Sequence, residues 1–317
     1  MSVESKNGIM LLDKPTGMTS HDVVNFLRRK LKTRRIGHCG ILDPNATGLL
    51  VMLIERGTLF SSHLIGMSKR YAARFAFGTA TDTYDAVGQV VSAEDPGHLP
   101  QEDFEKLLSN YRGKIEQAIP PFSAAKRDGK TLHKLARKGK QFSPSSKVVE
   151  VKSIEIIDYQ WPEVALDISC SSGTYVRSLA HQMGMALGSG GHLKALRRIE
   201  VGPFRLSEAQ SLDEIAKSEC PSEYIRPLKE ALPTYPQIMI KPQYCGAVLL
   251  GRPFVKNYII ENCYRGSGDV LSLLLDNDGR VLALAKLNML WPSLDKLSQS
   301  EVMGTYVRVI DEGRQRS

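Results

Sequence analysis

The most informative stretch of the chain is the segment Gly37-His38-Cys39-Gly40-Ile41-Leu42-Asp43-Pro44-Asn45-Ala46-Thr47-Gly48. Its glycines allow other backbones to come close and its proline fixes a φ angle, so the composition predicts an ordered loop. Asp43 lies in that loop between an apolar leucine and a rigid proline. Such an aspartate is either a turn or cap residue, which is its commonest use, or a carboxylate held for chemistry.

Strand-like and helical patterns lie on both sides of this loop. Upstream, Ile9 to Asp13 predicts a strand, and Ser20 predicts the N-cap of a helix that runs to Lys32. Downstream, the same criteria predict helices and strands at 101–112, 175–187, 49–54, 71–77, 148–159, 164–171 and 193–201. Because helices and strands mix without regular β-α-β alternation, we expect an α+β fold rather than a parallel nucleotide-binding sheet.

The C-terminal third has a different pattern. Prolines recur between residues 203 and 242, which is typical of a connection between domains. Short β-like segments follow on either side of the turn sequence Asp276-Asn277-Asp278-Gly279. We therefore expect two domains, residues 1–236 and a small β-rich domain at 237–317.

Basic residues are concentrated in two places. The net charge is +8, and residues 28–35 read RRKLKTRR without an acidic residue. Residues 126–147 hold eight Lys and Arg against Asp128 alone. Either run by itself is typical of a solvated surface, but two together favour a track that binds phosphates, since each neutralised phosphate releases counterions. The glycines and proline of 123–147 predict a long, mobile insertion.

Several classes of protein are not expected from this sequence. The longest apolar run, at 49–54, is far shorter than the ~20 residues of a membrane span, and the polar N-terminus does not resemble a secretory signal. The five cysteines form no C-x-x-C pair, and the histidines form no ligand cluster. The glycine-rich segments at 128–131 and 188–191 match no nucleotide-binding loop. We expect a cytoplasmic protein without a metal.

Several motifs in order resemble one family. The pattern G-H-x-G-x-L-D-P-x-A-x-G-x-L, which begins at Gly37, resembles the TruB-type tRNA pseudouridine synthases. The resemblance runs from about Gly8 to Phe204. Its other motifs are Leu12-Asp13-Lys14-Pro15-x-Gly17-x-Thr19-Ser20, Lys69-Arg70-Tyr71, Thr81-Asp82-Thr83-x-Asp85-x-x-Gly88, Pro121-x-Ser123-Ala124-x-Lys126-x-x-Gly129, Ser172-Gly173-Thr174-Tyr175-Val176-Arg177 and Leu196-Arg197-Arg198.

The resemblance implies an activity and a role for individual residues. It implies conversion of uridine 55 in the tRNA T loop to pseudouridine, with Asp43 as the catalytic carboxylate. Tyr71 would stack on the flipped-out uracil and help to remove its C5 proton, and Arg177 would pair with Asp43. The implied substrate-binding residues are His38, Lys14, Tyr175, Leu196 and Lys126.

The resemblance also implies an architecture. It implies a mixed, largely antiparallel sheet with flanking helices, and an insertion at 123–147 that closes over RNA. The β-rich tail would be a small PUA-like RNA-binding domain. The protein would act on the tRNA T stem-loop as a monomer, without a membrane.

The chemistry of the reaction suits these residue types. Breaking the C1′–N1 bond develops positive character on the sugar, which a carboxylate stabilises. Burial favours the neutral form of Asp43, and a nearby Arg177 opposes this effect. The target base must leave its stack, and an aromatic face offsets part of that cost. No redox change and no net group transfer occur, so no cofactor is expected.

Other readings remain open at this point. Tyr71 and Leu196 could be ordinary core residues, and Arg177 could be a surface cation. The chain could also be a non-catalytic tRNA-binding or folding protein on the same scaffold. A methyltransferase or nuclease would need a cofactor loop or clustered metal-binding carboxylates, and the sequence has neither. Departures from the family pattern, such as Cys39 for a more usual Thr or Ser, leave Asp43 in place.

Overall fold

A computed structural model describes residues 7–123, 126–127, 130–131, 146–265, 271–288 and 298–310. For 126–127, 130–131 and 261–265 the description covers the backbone alone. Most of the insertion predicted at 123–147, and the side chain of Lys126, therefore lie outside the described residues. Within those ranges no helix is long and apolar enough to cross a membrane.

The strands of the described chain are numbered in sequence order. They are β1 Gly8–Lys14, β2 Ile36–His38, β3 Thr47–Ile54, β4 Lys69–Phe77, β5 Thr79–Thr81, β6 Val90–Ala93, β7 Gly113–Ala118, β8 Lys126–Arg127, β9 Lys130–Thr131, β10 Ser146–Gln160, β11 Glu163–Cys170, β12 Gly191–Val201, β13 Phe204–Arg205, β14 Gln210–Ser211, β15 Arg226–Pro227, β16 Gln237–Ile240, β17 Ile259–Arg265, β18 Leu271–Leu275, β19 Val281–Leu287 and β20 Gly304–Val309. The α-helices are α1 Ser20–Leu31, α2 Ser61–Ile65, α3 Gln101–Ser109, α4 Val176–Ala186, α5 Leu212–Lys217 and α6 Pro242–Leu249.

Most strands belong to one eleven-stranded sheet, ordered β14-β1-β3-β12-β4-β11-β10-β7, with β2, β13 and β15 attached at its side. The β1–β14 and β3–β12 pairs are parallel, and the other pairs of this sheet are antiparallel. A mixed, largely antiparallel sheet with flanking helices confirms the predicted α+β class.

The centre of the sheet follows from the apolar run in β3. Successive residues of a strand point to opposite faces, and almost every residue of β3 is buried. One face, which includes Leu50 and Met52, packs against Val23 and Leu27 of α1. The opposite face, which includes Val51, belongs to a second apolar cluster. A strand that is covered on both faces has a continuous apolar sequence, whereas a strand with one exposed face alternates between apolar and polar residues.

Two helix ends differ from their predictions. The N-cap of α1 is Thr19 rather than Ser20, because Thr19 and Asp22 form a reciprocal capping box. Ser20 is instead the first helical residue, and its hydroxyl bonds to the backbone of Leu42. Helix α3 ends at Ser109 because the next backbone N–H groups bond three residues back, which tightens the chain into a turn before Gly113.

The proline-rich segment at 203–242 is not a simple connection. It contains β13, β14, α5 and β15, and both β14 and β15 pair with β1. The segment therefore adds short strands to the main sheet instead of only joining two domains. The correction follows from long-range pairing, which proline spacing does not encode.

A second, five-stranded sheet follows in the order β17-β16-β18-β19-β20. The predicted turn joins β18 to β19, where Asp276 Oδ1 accepts hydrogen bonds from the backbone N–H groups of Asp278 and Arg280. Leu273 and Leu284 of this sheet share an apolar cluster with residues of β1 and β3. The small sheet is thus packed against the main one.

Candidate active site

A cleft of about 420 Å³ opens where the 37–48 loop, β4, β12 and the start of α4 meet. Of the residues predicted as functional, those that line it are Asp43, Tyr71, Arg177, His38, Tyr175 and Leu196. They come from segments that are far apart in the sequence. The fold therefore brings six of the eight predicted residues to one place.

The loop that carries Asp43 is anchored on both sides of that residue. The backbone N–H of Leu42 donates to Ser20 Oγ at 2.9 Å, and the Ser20 hydroxyl donates to the Leu42 carbonyl at 3.2 Å. After Asp43, the Ala46 N–H donates to the Asp43 carbonyl at 3.1 Å and closes a turn. With Leu42 and Ala46 both buried in the core, the loop holds Asp43 in one position.

Asp43 forms an ion pair with Arg177 at the start of α4. Arg177 Nε lies 3.0 Å from Asp43 Oδ2, and its Nη1 lies 3.6 Å from Asp85 Oδ2. The guanidinium also donates to the carbonyls of Thr83 and Phe122, at 3.0 and 3.1 Å. The arginine is buried, so these partners compensate for its lost hydration.

The pKa of Asp43 is raised from its ordinary value. Burial is the largest cause, and the neighbouring Asp85 carboxylate adds to it. The positive charges of Arg177 and then Lys14 act in the opposite direction. Arg177 is thus the main group that keeps Asp43 ionised in a partly dry site.

Tyr71 and Leu196 form apolar walls of the cleft. Tyr71 is on β4 and Leu196 on the neighbouring β12, where Leu196 pairs with Ala73. The phenol is buried, and this burial is the largest cause of its raised pKa. The charge of Arg198 lowers the pKa of Tyr71, against the effect of burial.

His38 and Tyr175 lie at other parts of the cleft. Burial, followed by the charge of Arg198, lowers the pKa of His38, and this favours the neutral imidazole. Its Nδ1 is buried and has no hydrogen-bond partner among the described residues. The backbone of Tyr175 is held by Gln117, and Lys147 Nζ lies 4.2 Å from the centre of the Tyr175 ring.

Lys14, which the resemblance implies as a substrate-binding residue, is buried and does not line the cleft. Its side chain is 0% exposed, and Nζ donates to the carbonyls of Pro15, Met18 and Pro44 at 2.8, 2.7 and 3.2 Å. Burial is the main reason that the pKa of Lys14 falls to about 8. The lysine supports the peptide next to Asp43, because all three of its bonds go to backbone carbonyls. Lys126 has no described side chain.

Three residues that belong to the site were not predicted. Asp85 and Arg198 lie inside motifs that the sequence displays, so their motif positions were the available signal. Gln117 gives no signal, because its partners are backbone atoms 58 residues away. Together the site offers a carboxylate held by a buried arginine, in a cleft that Tyr71 and Leu196 also line.

Comparison with known proteins agrees with this geometry. Residues 28–176 match the model of the TruB family pseudouridylate synthase (N terminal domain), and residues 177–233 match the tRNA pseudouridylate synthase B C-terminal domain. The tRNA pseudouridine synthase B of Aquifex aeolicus (strain VF5) is 42% identical over 258 residues, which cover 80% of this chain and 90% of that protein. That of Geobacter sulfurreducens (strain ATCC 51573 / DSM 12127 / PCA) is 39% identical over 291 residues, covering 90% and 96%.

Solved structures show the same fold. A chain of an H/ACA ribonucleoprotein bound to a substrate RNA containing 2′-deoxyuridine superposes with a TM-score of 0.73 at 23% identity, covering 98% of this chain and 87% of that one. A chain of a Cbf5-Nop10-Gar1 complex gives a TM-score of 0.71 at 25% identity, covering 96% and 85%. With the family models and the close relatives, these matches show that the chain belongs to the TruB family of pseudouridylate synthases.

Proposed function

We propose that this protein isomerises uridine 55 in the T loop of tRNA to pseudouridine, with Asp43 as the catalytic carboxylate. The observation that carries the proposal is the 3.0 Å pair between Asp43 and the buried Arg177, in a cleft walled by Tyr71 and Leu196. The names of the TruB-family relatives support tRNA as the substrate.

The reaction begins with the uridine flipped into the cleft. The C1′–N1 bond breaks and its electron pair leaves with the uracil, while the Asp43 carboxylate acts at C1′, where positive character develops. Arg177 favours the ionised form of Asp43 that this step requires. The slot between Tyr71 and Leu196 retains the free uracil, so the base can turn without escaping to solvent.

Rejoining uses a different atom of the base. The C5 atom of the turned uracil forms the new bond to C1′, the C5 proton then leaves, and N1 takes up a proton, which restores the ring. Tyr71 is the side chain that we assign to stacking on the uracil and to helping remove the C5 proton. Atoms balance without an oxidant, a metal or a second substrate, so the proposed reaction uses no cofactor.

The remaining contacts with tRNA follow from charge and position. We assign substrate binding to His38, Tyr175, Leu196 and Lys126, and closure over the RNA to the basic segment at 123–147. The T stem-loop is the part of tRNA that enters the cleft. Residues 237–317 form a small PUA-like RNA-binding domain in this proposal, which the separate sheet that begins at Gln237 supports. The protein acts as a monomer in the cytoplasm.

Tritium release tests the reaction and the residue together. A T-stem-loop transcript labelled at C5 of uridine is incubated with the protein, with Asp43→Asn and with Asp95→Asn, whose aspartate lies in an exposed loop outside the cleft. Release is expected from the protein and the Asp95 variant, and none from the Asp43 variant. Release should also stop when uridine 55 is replaced by cytidine. Binding without release would instead favour a non-catalytic RNA-binding protein.

A further inference from the structure

Arg198 is a buried cation to which the proposed reaction assigns no role. Its side chain is 1% exposed, and among the described residues no Asp or Glu forms an ion pair with it. Burying an uncompensated charge is costly, so an arginine in this position must be held by other groups. Its hydrogen bonds show what those groups are.

The Arg198 guanidinium bonds to the backbone on both sides of Asp43 in the loop that carries it. Nη2 and Nη1 donate to the carbonyls of Gly40 and Ile41 at 3.2 and 3.3 Å, just before Asp43. Nε donates to the carbonyl of Leu49 at 2.7 Å, just after the loop. The planar fork of an arginine directs its N–H groups at fixed angles, whereas a lysine ammonium is a compact charge at the end of a flexible stem.

The glycines of the loop fit this arrangement. Gly40 has a φ of +110°, and a Cβ at that position would lie 3.6 Å from Arg198 Nη1. Gly48 has a φ of +99°, and a Cβ there would lie 2.3 Å from the Arg198 carbonyl oxygen. The loop therefore approaches Arg198 closely at both of its ends, through its side chain at one and its backbone at the other.

The same arginine faces the other group assigned to the chemistry. Arg198 on β12 is the direct cross-strand partner of Tyr71 on β4, and paired residues of neighbouring strands project from the same face. Arg198 and Tyr71 thus lie side by side across the two strands, and the charge of Arg198 lowers the pKa of Tyr71 against the effect of burial. The other charged or titratable groups that act on Tyr71 are Cys170 and Asp43.

We propose that Arg198 is a positioning residue for the reaction: one guanidinium fixes the peptide before Asp43 and orients the Tyr71 hydroxyl. This inference rests on the proposed function, because it assigns Arg198 to the geometry of that reaction. Arg198 lines the cleft, and the role assigned to it is to set the carboxylate loop and the phenol at a fixed separation. Lys69, a second buried cation, donates instead to Ile65 and Met67, outside the loop.

The first test reads the link to Tyr71 without any substrate. The protein is labelled with ¹³C at tyrosine Cζ, and Tyr71→Phe identifies the Tyr71 signal among the eleven tyrosines. Arg198→Met is expected to shift that signal and to raise the pH at which it titrates. The control is Arg112→Met, since Arg112 also donates to a backbone carbonyl, that of Ile154, but outside the cleft. An unmoved Tyr71 signal in Arg198→Met would overturn the inference.

The second test separates chemistry from binding. Single-turnover tritium release and the Kd for the T stem-loop are measured for Arg198→Lys and Arg198→Met. We expect rate losses of at least tenfold and a hundredfold respectively, with Kd within threefold of the unchanged protein. If Arg198→Met does not fold, the rate and the Kd of Arg198→Lys test the positioning role. Rates within threefold of the unchanged protein, or a loss explained by weaker binding, would contradict a positioning role. If the unchanged protein releases no tritium, the proposed function fails, and the Tyr71 signal still tests the Arg198 contact.

Discussion

Asp43 and Arg177 share an ion pair of 3.0 Å although their environments differ. The Arg177 side chain is 7% exposed, whereas that of Asp43 is 41% exposed and faces the cleft. A buried arginine held by two backbone carbonyls and Asp85 is a rigid reference point. The carboxylate that reaches into the cleft is therefore oriented by a partner that itself cannot move freely.

The first prediction concerns the acidic side of the pH–rate profile. Arg177→Met removes the largest effect that lowers the pKa of Asp43, so burial and Asp85 raise that pKa further. At a given pH less of the enzyme then carries an ionised Asp43, and the acidic limb moves to higher pH. Misplacement of the carboxylate adds a loss of about a hundredfold at the plateau.

Single-turnover rates across pH for Arg177→Met and for Arg74→Met measure this effect. Arg74 forms ion pairs with Asp158 and Glu163 outside the cleft, so its removal should leave the limb where it is. An acidic limb that stays in place in the Arg177 variant would mean that Arg177 does not control Asp43.

The second prediction is that Asp43→Asn stabilises the fold. The folded-state pKa of Asp43 lies above its unfolded value, so stability from this group is complete below the unfolded pKa and is lost as pH rises through the folded pKa. An asparagine has no such loss. The Tm of Asp43→Asn should therefore exceed that of the unchanged protein at pH 8, and the gap should close as pH falls toward the unfolded value of 3.8.

Asp22→Asn is expected to change the Tm in the opposite direction. Hydrogen bonds from Thr19 lower the pKa of Asp22, so its contribution to stability is present above the unfolded pKa and is lost in acid. This variant should lower Tm at pH 8, and the difference should shrink at low pH. Thermal melts of both variants from pH 4 to pH 8 check the two signs, and a Tm for Asp43→Asn below that of the unchanged protein at pH 8 contradicts the prediction.

Local patterns predicted the elements around the site, and motif order predicted its central pair. The apolar run of β3 and the apolar stripe of α1 are patterns within one short segment, so they can be recognised without knowing the rest of the fold. Asp43 and Arg177, 134 positions apart in number, came from the family resemblance, since no local pattern brings an aspartate to an arginine at that separation. The structure then supplied the distance between them.

What the sequence did not reveal are contacts between side chains and distant backbone. The resemblance implies that Lys14 binds substrate, yet its ammonium donates to three carbonyls, one of them that of Pro44, which is 30 residues away. Arg198 bonds to carbonyls more than a hundred residues distant. Every residue carries a carbonyl, so composition and spacing cannot show which carbonyls a side chain will reach.

The third prediction separates the two roles considered for Lys14. Because Nζ is bound to backbone carbonyls and does not line the cleft, Lys14→Met should leave the Kd for the T stem-loop within about threefold. The Pro44 carbonyl keeps its bond from the Gly17 N–H at 2.9 Å but loses the charged one, so the peptide next to Asp43 is held less firmly. The single-turnover rate should fall by about tenfold or more, as expected for hydrogen bonds to a charged group.

Filter binding and tritium release on the same preparations measure the two quantities, with Lys106→Met as the control because Lys106 is an exposed helix residue. A Kd that rises while the rate is kept would restore the substrate contact that the sequence predicted for Lys14.

The fourth prediction concerns the buried Gln117, which holds the start of α4. The Tyr175 N–H donates to Gln117 Oε1 at 2.7 Å, and Gln117 Nε2 donates to the Tyr175 carbonyl at 3.0 Å. Gln117→Leu leaves the Tyr175 N–H without this partner, which costs roughly 1–3 kcal/mol, whereas the Tyr175 carbonyl still accepts from the N–H groups of Ser178 and Leu179 at 3.1 and 3.4 Å. Arg177 lies two residues after Tyr175, so a looser helix start also loosens the partner of Asp43. The single-turnover rate should therefore fall together with the free energy of unfolding.

Urea unfolding with linear extrapolation measures the stability loss, and Gln182→Leu is the matched control. Gln182 makes one bond, from Nε2 to the Glu116 carbonyl at 3.2 Å, and its buried Oε1 has no partner within the described ranges. Removing an amide that is already half unsatisfied should cost far less than removing Gln117. Equal losses in the two variants would show that the paired bonds to Tyr175 add nothing to the fold.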